Sequence, residues 1–210
     1  LLAALTERGY VRREESTGQY TLTFRLLGMA GQILERMSVP VQVRPRLERL
    51  CEESGETVHL VRREGAYIVY IDKVESAANS VRMVSQIGLR LPMFCTGVGK
   101  ALLAELPETE LAAVWDDSPV SSLTPHTITD RAAFWREMDR VRAAGYAVDD
   151  EENELGVRCV AASLRDYTGR ARYAFSVSAP LPRMDDVRTE AHARRVREAK
   201  HDMESIFGRR

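Results

Sequence analysis

The chain has 210 residues, of which 44% are hydrophobic and 29% are charged, with a formal net charge of −1. This is the composition of an ordinary globular protein with one sizeable core, or one core and a small second domain. It excludes a uniformly basic nucleic-acid-binding protein, although a small DNA-binding element would be masked in the average. No apolar run approaches the roughly 18 residues of a membrane span, so we expect a cytoplasmic protein.

The first residues predict the end of a helix followed by a β-hairpin. Residues 1–8 are helix-like, and two β-prone runs at 10–13 and 20–23 flank a Ser-Thr-Gly turn. A hairpin that carries Arg12 and Arg13 after a helix is typical of the second half of a winged helix-turn-helix, and an ordinary helix–hairpin fragment fits equally well. No basic region precedes LLAAL, so we expect no signal peptide and read it as the end of a helix that begins before this chain.

Apolar residues at helical spacing over 24–37 predict a linker helix that Ser38, Val39 and Pro40 interrupt. We therefore predict three parts. They are 1–23, the helix end and wing; 24–38, the linker helix; and 39–210, a larger domain.

The larger domain mixes helices and strands without a strict β-α-β alternation, which predicts an α+β fold with an antiparallel sheet and flanking helices. The predicted helices are 41–54, 97–105, 107–115, 130–144 and a last helix from beyond Pro182 to about 206, and the predicted strands are 57–62, 66–71, 80–84, 146–148, 158–165 and 170–178.

The segment LPMFCTGVGKALLAEL (91–106) predicts a helix with an open first turn. Thr96 is a candidate cap, and Gly97 and Gly99 leave backbone amides uncovered. Unpaired amides and the partial positive charge of a helix start suit a small anion. The spacing is not that of a Walker motif, and a plain glycine-rich helix start with Lys100 on the surface explains the segment as well.

Two late strands carry small side chains on one face, because residues two apart share a face of a strand. Such a face leaves room for a small ligand, and close packing of a helix is the alternative. The small residues are Cys159, Ala161 and Ser163 in one strand and Ala174, Ser176 and Ser178 in the other.

The acidic run 149–152 adjoins core-like segments. Four carboxylates cannot all be buried, so most are expected to face water, and one can point inward to accept a hydrogen bond from a ligand. No histidine or further carboxylate is placed near the run by the sequence, so we predict neither a metal site nor a cofactor.

TGVGKALLAELP, GYAVDDEENELGVRCVAASLRDYTGR and FSVSAP resemble the signature stretches of the effector-binding domain of the IclR (isocitrate lyase regulator) family of bacterial transcription regulators. LLAALTERGYVRREESTGQYTLTFRLLGMAG resembles the recognition-helix end, wing and linker of the same family. The resemblance extends over essentially the whole chain and is specific at 91–104 and 145–180.

The resemblance implies a winged helix-turn-helix, mostly missing here, followed by a GAF-like effector-binding domain over 39–210. It implies a homodimer or tetramer that binds double-stranded DNA, here through Arg12 and Arg13, and a small organic acid or aromatic effector. By the same resemblance, the amides of Gly97 and Val98 hold a carboxylate. The other implied pocket positions are Met93, Asp149, Val157, Cys159, Ser176 and Ser178.

A cysteine-dependent small-molecule hydrolase is the alternative function. Cys95 lies just before a helix start, where the pKa of a thiol falls, and the amides of Gly97 and Val98 would form an oxyanion hole. The base would have to be His59 or His126, and no motif places either residue. We therefore expect a regulator and not an enzyme.

Overall fold

The computed structural model describes residues 1–35, 37–76 and 85–207. They belong to two compact units, Leu1–Val41 and Gln42–Arg210. The predicted strand at 80–84 lies outside the described residues.

The smaller unit is a helix, a β-hairpin and a second helix. Its elements are α1 (Leu2–Glu7), β1 (Val11–Arg13), β2 (Tyr20–Leu22) and α2 (Arg25–Glu35). The two strands are antiparallel, with Val11 opposite Leu22. The hydroxyl of Thr23 donates to the carbonyl of Gly9 at 2.6 Å, and the guanidinium of Arg25 donates to the carbonyl of Arg8 at 2.7 Å. These bonds fix the end of the hairpin against the end of α1.

The larger unit is an antiparallel sheet with flanking helices, which confirms the predicted α+β class. Six strands lie in the order β5-β4-β3-β8-β7-β6, and every neighbouring pair is antiparallel. The elements are α3 (Ser38–Ser54, which begins in the smaller unit), β3 (Thr57–Glu64), β4 (Tyr67–Val74), β5 (Arg90–Pro92), α4 (Gly97–Leu103), α5 (Glu108–Asp116), α6 (Arg131–Ala144), β6 (Ala147–Asp150), β7 (Val157–Arg165), β8 (Ala171–Pro180) and α7 (Asp186–Phe207).

The two faces of the central strands differ in side-chain size. Cys159 lies opposite Ser178 and Ala161 opposite Ser176 across β7 and β8, so the small residues share one face as the alternation predicts. Helix α4 packs on these two strands, and an added Cβ on Gly97 would touch Ala161. Helix α7 also packs on β7 and β8. The residues that alternate with the small ones are fully buried, and all but Ala162 are larger: Val160, Ala162, Leu164, Phe175 and Val177.

The hydrophobic core beside α4 is filled by residues of α4, α5 and α6. Trp115 lies 4.5 Å from Phe134 and 5.9 Å from Trp135, measured between ring centroids. Phe134 and Met138 are fully buried in the same cluster as Leu102 of α4. Residues of α5 and α6 therefore pack in one core with α4.

Candidate ligand-binding site

A cavity of about 400 Å³ opens at the start of α4, and we call it the α4 cavity. Its volume lies within the usual range of small-molecule sites. Seven of the eight positions predicted for a ligand pocket line it: Gly97, Val98, Asp149, Val157, Cys159, Ser176 and Ser178. The remaining lining residues had not been predicted as ligand contacts: His59, Tyr70, Ser85, Leu89, Leu91, Thr96, Asn153 and Glu154.

The start of α4 presents two free backbone amides to this cavity. The hydroxyl of Thr96 caps the helix by accepting from the amide of Gly99 at 3.2 Å. The amides of Gly97 and Val98 have no acceptor among the residues that the structure describes. Both residues line the cavity, so their N–H groups are available to a ligand.

Met93 does not line the cavity, in contrast to its predicted place in an apolar wall. Its side chain is fully buried in the core, and its amide donates to the carbonyl of Ala66 at 3.1 Å. A Cβ on Gly99 would lie only 2.2 Å from the carbonyl oxygen of Met93, so this glycine permits close backbone packing and does not expose an amide. The apolar wall is formed instead by Leu89, Leu91, Val98 and Val157.

A chain of hydrogen bonds forms the polar wall. The hydroxyls of Ser176 and Ser178 are 3.1 Å apart, and Ser178 lies 3.3 Å from Nδ1 of His59. The other nitrogen, Nε2, is 2.6 Å from the hydroxyl of Ser85. Burial, reinforced by nearby Lys73, lowers the pKa of His59 to about 3. The imidazole is therefore neutral, with one nitrogen donating and the other accepting.

Asp149 places a buried carboxyl group beside the free amides. Its Oδ1 accepts from the amides of Glu152 at 2.9 Å and Asn153 at 3.4 Å. Its Oδ2 has no hydrogen-bond partner in the described part of the chain. Burial raises the pKa of Asp149 to about 6, although the positive charge of Lys100 opposes this shift. A ligand hydroxyl is a suitable donor to the free oxygen.

The acidic run is more deeply buried than its sequence predicts. Asp149 and Glu152 are each only 5% exposed. The ammonium of Lys100, only 1% exposed, pairs with Glu152 and also with Glu137 at 3.0 Å. The alternative that Lys100 lies on the surface is therefore wrong. Its charge can be buried because its two acidic partners compensate it. Asp150 faces outward and pairs with Arg158 at 2.6 Å.

The thiols do not support a hydrolase. Cys95 is fully buried and does not line the α4 cavity. Burial, with the negative charges of Asp149 and Glu152, raises the pKa of its thiol to about 12, so the thiolate needed for attack does not form at neutral pH. Cys159 lines the cavity, but burial raises the pKa of its thiol also.

Residues 1–35, 37–76 and 85–207 contain no group of three or more His, Cys, Asp or Glu side chains placed to hold a metal ion. None of the helices in these ranges combines the length and the apolar character needed to span a bilayer.

Comparison with known families decides the assignment of the chain. Residues 31–205 match the family described as "Bacterial transcriptional regulator IclR C-terminal". The chain belongs to the IclR family.

Individual relatives agree with this assignment. The IclR-family chain is 34% identical to the HTH-type transcriptional regulator XynR of Escherichia coli K12, covering 89% of this chain and 73% of that protein. It is 30% identical to the HTH-type transcriptional repressor AllR of the same strain, covering 99% of this chain and 76% of that protein. The crystal structure of Thermotoga maritima IclR matches with a TM-score of 0.84 and 31% identity, over 99% of this chain and 83% of that one.

These relatives are transcription regulators and not enzymes, so the hydrolase interpretation is wrong. The described sheet and helices are the α+β C-terminal effector domain of this family.

Proposed function

We propose that the chain is the sensing part of a DNA-binding transcription regulator, and that its α4 cavity binds a small effector with a carboxylate group. The observation that carries the proposal is the pair of free amides at Gly97 and Val98, which open onto a cavity of about 400 Å³. Such amides at a helix start favour an anion.

The proposed binding mode uses three parts of the wall. The carboxylate accepts from the amides of Gly97 and Val98, and the hydroxyl of Ser176 or Ser178 donates to a second oxygen of the effector. A hydroxyl on the effector donates to Oδ2 of Asp149. Each charge-assisted hydrogen bond contributes roughly 1.5–3 kcal/mol. The leucines and valines of the wall suit an apolar or aromatic remainder of the effector.

We further propose that residues 1–23 are the end of a recognition helix and the wing of a winged helix-turn-helix. The hairpin β1–β2 after a short helix supports this assignment. Arg12 and Arg13 are exposed on β1, where their guanidinium groups can reach DNA phosphates. A regulator of transcription acts where the chromosome is, so we place the protein in the bacterial cytoplasm.

We also propose that the chain forms a homodimer or tetramer through the apolar surface of the linker segment, residues 24–38. Phe24, Leu27 and Ile33 are 88%, 65% and 60% exposed, which is unusual for side chains of this size. In this scheme residues 24–38 link the DNA-binding element to the GAF-like domain at 39–210. An effector that binds one arrangement tenfold better than another shifts the equilibrium by about 1.4 kcal/mol.

The double substitution Ser176→Ala, Ser178→Ala tests the sensing role. Small carboxylic and aromatic acids are first screened by thermal shift, and the strongest ligand is then titrated by calorimetry. We expect binding to weaken about tenfold or more, because the ligand loses hydroxyl donors in a buried site. The matched control is Ser205→Ala, since this exposed hydroxyl bonds only to the carbonyl of Asp202.

Unchanged affinity in a folded double variant would remove both serines from the site. Failure of every acid in the screen to bind the wild-type chain would remove the carboxylate effector itself.

A further inference from the structure

Two hairpin turns meet at one end of the sheet in the larger unit. Gly65 lies in the turn between β3 and β4, and Gly169 lies in the turn between β7 and β8. Strand β3 pairs with β8 so that Arg62 is opposite Tyr173, and β8 pairs with β7 so that Ala171 is opposite Arg165. Antiparallel pairing therefore brings the two turns together, although they are far apart in sequence.

A groove of about 670 Å³ lies at this end of the sheet, and we call it the arginine groove. Its wall carries five positive and two negative side chains, a net charge of +3, in a chain whose overall charge is −1. Such a concentration of like charge is unfavourable unless an anion compensates it. The charged residues are Arg62, Arg63, Arg165, Arg170 and Arg172, with Glu105 and Glu110.

The guanidinium groups of Arg62 and Arg170 have no ion pair or hydrogen bond in the described part of the chain. Arg63 pairs with Glu110 at 2.8 Å, and Arg172 lies 3.7 Å from Asp166. Two fork-shaped donors are therefore available to a ligand.

Glu105 does not neutralise the groove. Its carboxylate accepts from Arg165 at 2.5 Å, and it also accepts from Ser163 at 2.6 Å and from Lys200 at 3.2 Å. One negative charge is thus shared between two cations. The net positive charge near Arg165 remains for a ligand to compensate.

We propose that the arginine groove binds a compact anion with several phosphate groups, at a site separate from the α4 cavity. Planar guanidinium groups match phosphate oxygens and form paired hydrogen bonds with them. No aromatic side chain is among the described residues of the wall, so nothing is present to stack on a nucleobase. The groove has the volume of a small-ligand site and lies between two turns, which favours a small polyphosphorylated compound over a length of duplex DNA.

The test is calorimetric titration of the chain with inorganic tripolyphosphate at low salt. The double variant Arg62→Gln, Arg170→Gln is expected to weaken binding about a hundredfold, because each lost guanidinium contributes about tenfold. The matched control is Arg194→Gln, Arg197→Gln on the exposed surface of α7, which removes the same charge away from the groove. We expect the control to change affinity by less than about twofold.

Circular dichroism verifies that both double variants are folded. If the variant Arg62→Gln, Arg170→Gln does not fold, the single variant Arg170→Gln replaces it. The proposal is overturned if tripolyphosphate does not bind to the wild-type chain. It is also overturned if the two double variants change the affinity for tripolyphosphate equally. A parallel titration uses duplex DNA of arbitrary sequence. If DNA binding depends on Arg62 and Arg170 while tripolyphosphate does not bind, the groove contacts DNA and the small-anion site is refuted.

Discussion

At the residue scale, Asp149 is a buried carboxyl group in the wall of the α4 cavity. It is 5% exposed, and only one of its oxygens is hydrogen-bonded within the described chain. A buried charge with an unfilled acceptor is unfavourable until a ligand or a proton supplies the missing partner. We therefore expect binding of a ligand in the cavity to depend on pH through this residue.

The free energy of unfolding is expected to fall as the pH rises through about 6. The pKa of Asp149 is raised from 3.8 to about 6, so the folded chain binds this proton more tightly than the unfolded chain does. The stabilisation is complete below about pH 4 and is lost as the pH passes 6, with a total of roughly 3 kcal/mol. Glu152, whose pKa is raised to about 7, contributes in the same direction.

Asp149→Asn removes the part of this pH dependence that belongs to Asp149. Urea unfolding of wild type and variant between about pH 4.5 and 7.5 measures the difference in slope. Asp150→Asn is the control, because this exposed carboxylate pairs with Arg158 outside the cavity. Equal slopes for Asp149→Asn and wild type would contradict the assignment.

At the scale of elements, the start of α4 depends on close backbone contact. Gly99 lies against the backbone of Met93, while Gly97 lies against the side chains of Ala161 and Asp149. The two glycines of one motif therefore have different roles. Gly99 allows the helix to pack, and Gly97 is one of the residues that line the α4 cavity.

Gly99→Ala is expected to lower the free energy of unfolding by about 3 kcal/mol or more. The added Cβ would lie 2.2 Å and 2.4 Å from backbone atoms of Met93, which cannot move aside as a side chain would. Gly97→Ala is the control: its nearest contacts are at 3.4 Å, and we expect a loss of about 1 kcal/mol or less. Urea unfolding compares the two, and equal losses would refute the packing role of Gly99.

The strands could be predicted where the sequence carries a local pattern. Alternating residues and glycine turns placed β3, β4, β7 and β8 within a few residues of their observed bounds. Strand β5 was missed because it has only three residues and depends on pairing with β4. A local pattern does not report such a partner.

The site could be predicted only in part for a similar reason. The pocket positions followed from family resemblance and from the small-residue face, whereas His59 and the burial of Lys100 did not. His59 bonds to a serine 119 residues away, and Lys100 pairs with acids 37 and 52 residues away. The order of the sheet strands brings His59 to its serine, and the packing of α4 against α6 and the segment after β6 brings Lys100 to its acids. Single-sequence patterns contain neither arrangement.

At the scale of the whole molecule, the two units are expected to be separable. The larger unit has its own sheet and core, and its family match extends over residues 31–205. We expect a chain that begins at Gln42 to unfold cooperatively and to bind tripolyphosphate within about twofold of the full chain. Thermal unfolding and calorimetry measure both properties. Loss of cooperative unfolding would show that residues 1–41 are required for the fold.

The hydrogen-bond chain in the polar wall can have either of two directions of donation. It runs through Ser85, His59, Ser178 and Ser176. When His59 is protonated on Nδ1, it donates to Ser178, and Ser178 donates to Ser176, so the hydroxyl of Ser176 can donate to a ligand. When His59 is protonated on Nε2, it donates to Ser85, and the direction of the other bonds is reversed. Ser176 then donates to Ser178 and presents a lone pair to a ligand. The reversal requires only hydroxyl rotation and a change of tautomer, with no heavy atom displaced. One rigid wall can thus accommodate both an alcohol and the ketone formed from it by oxidation.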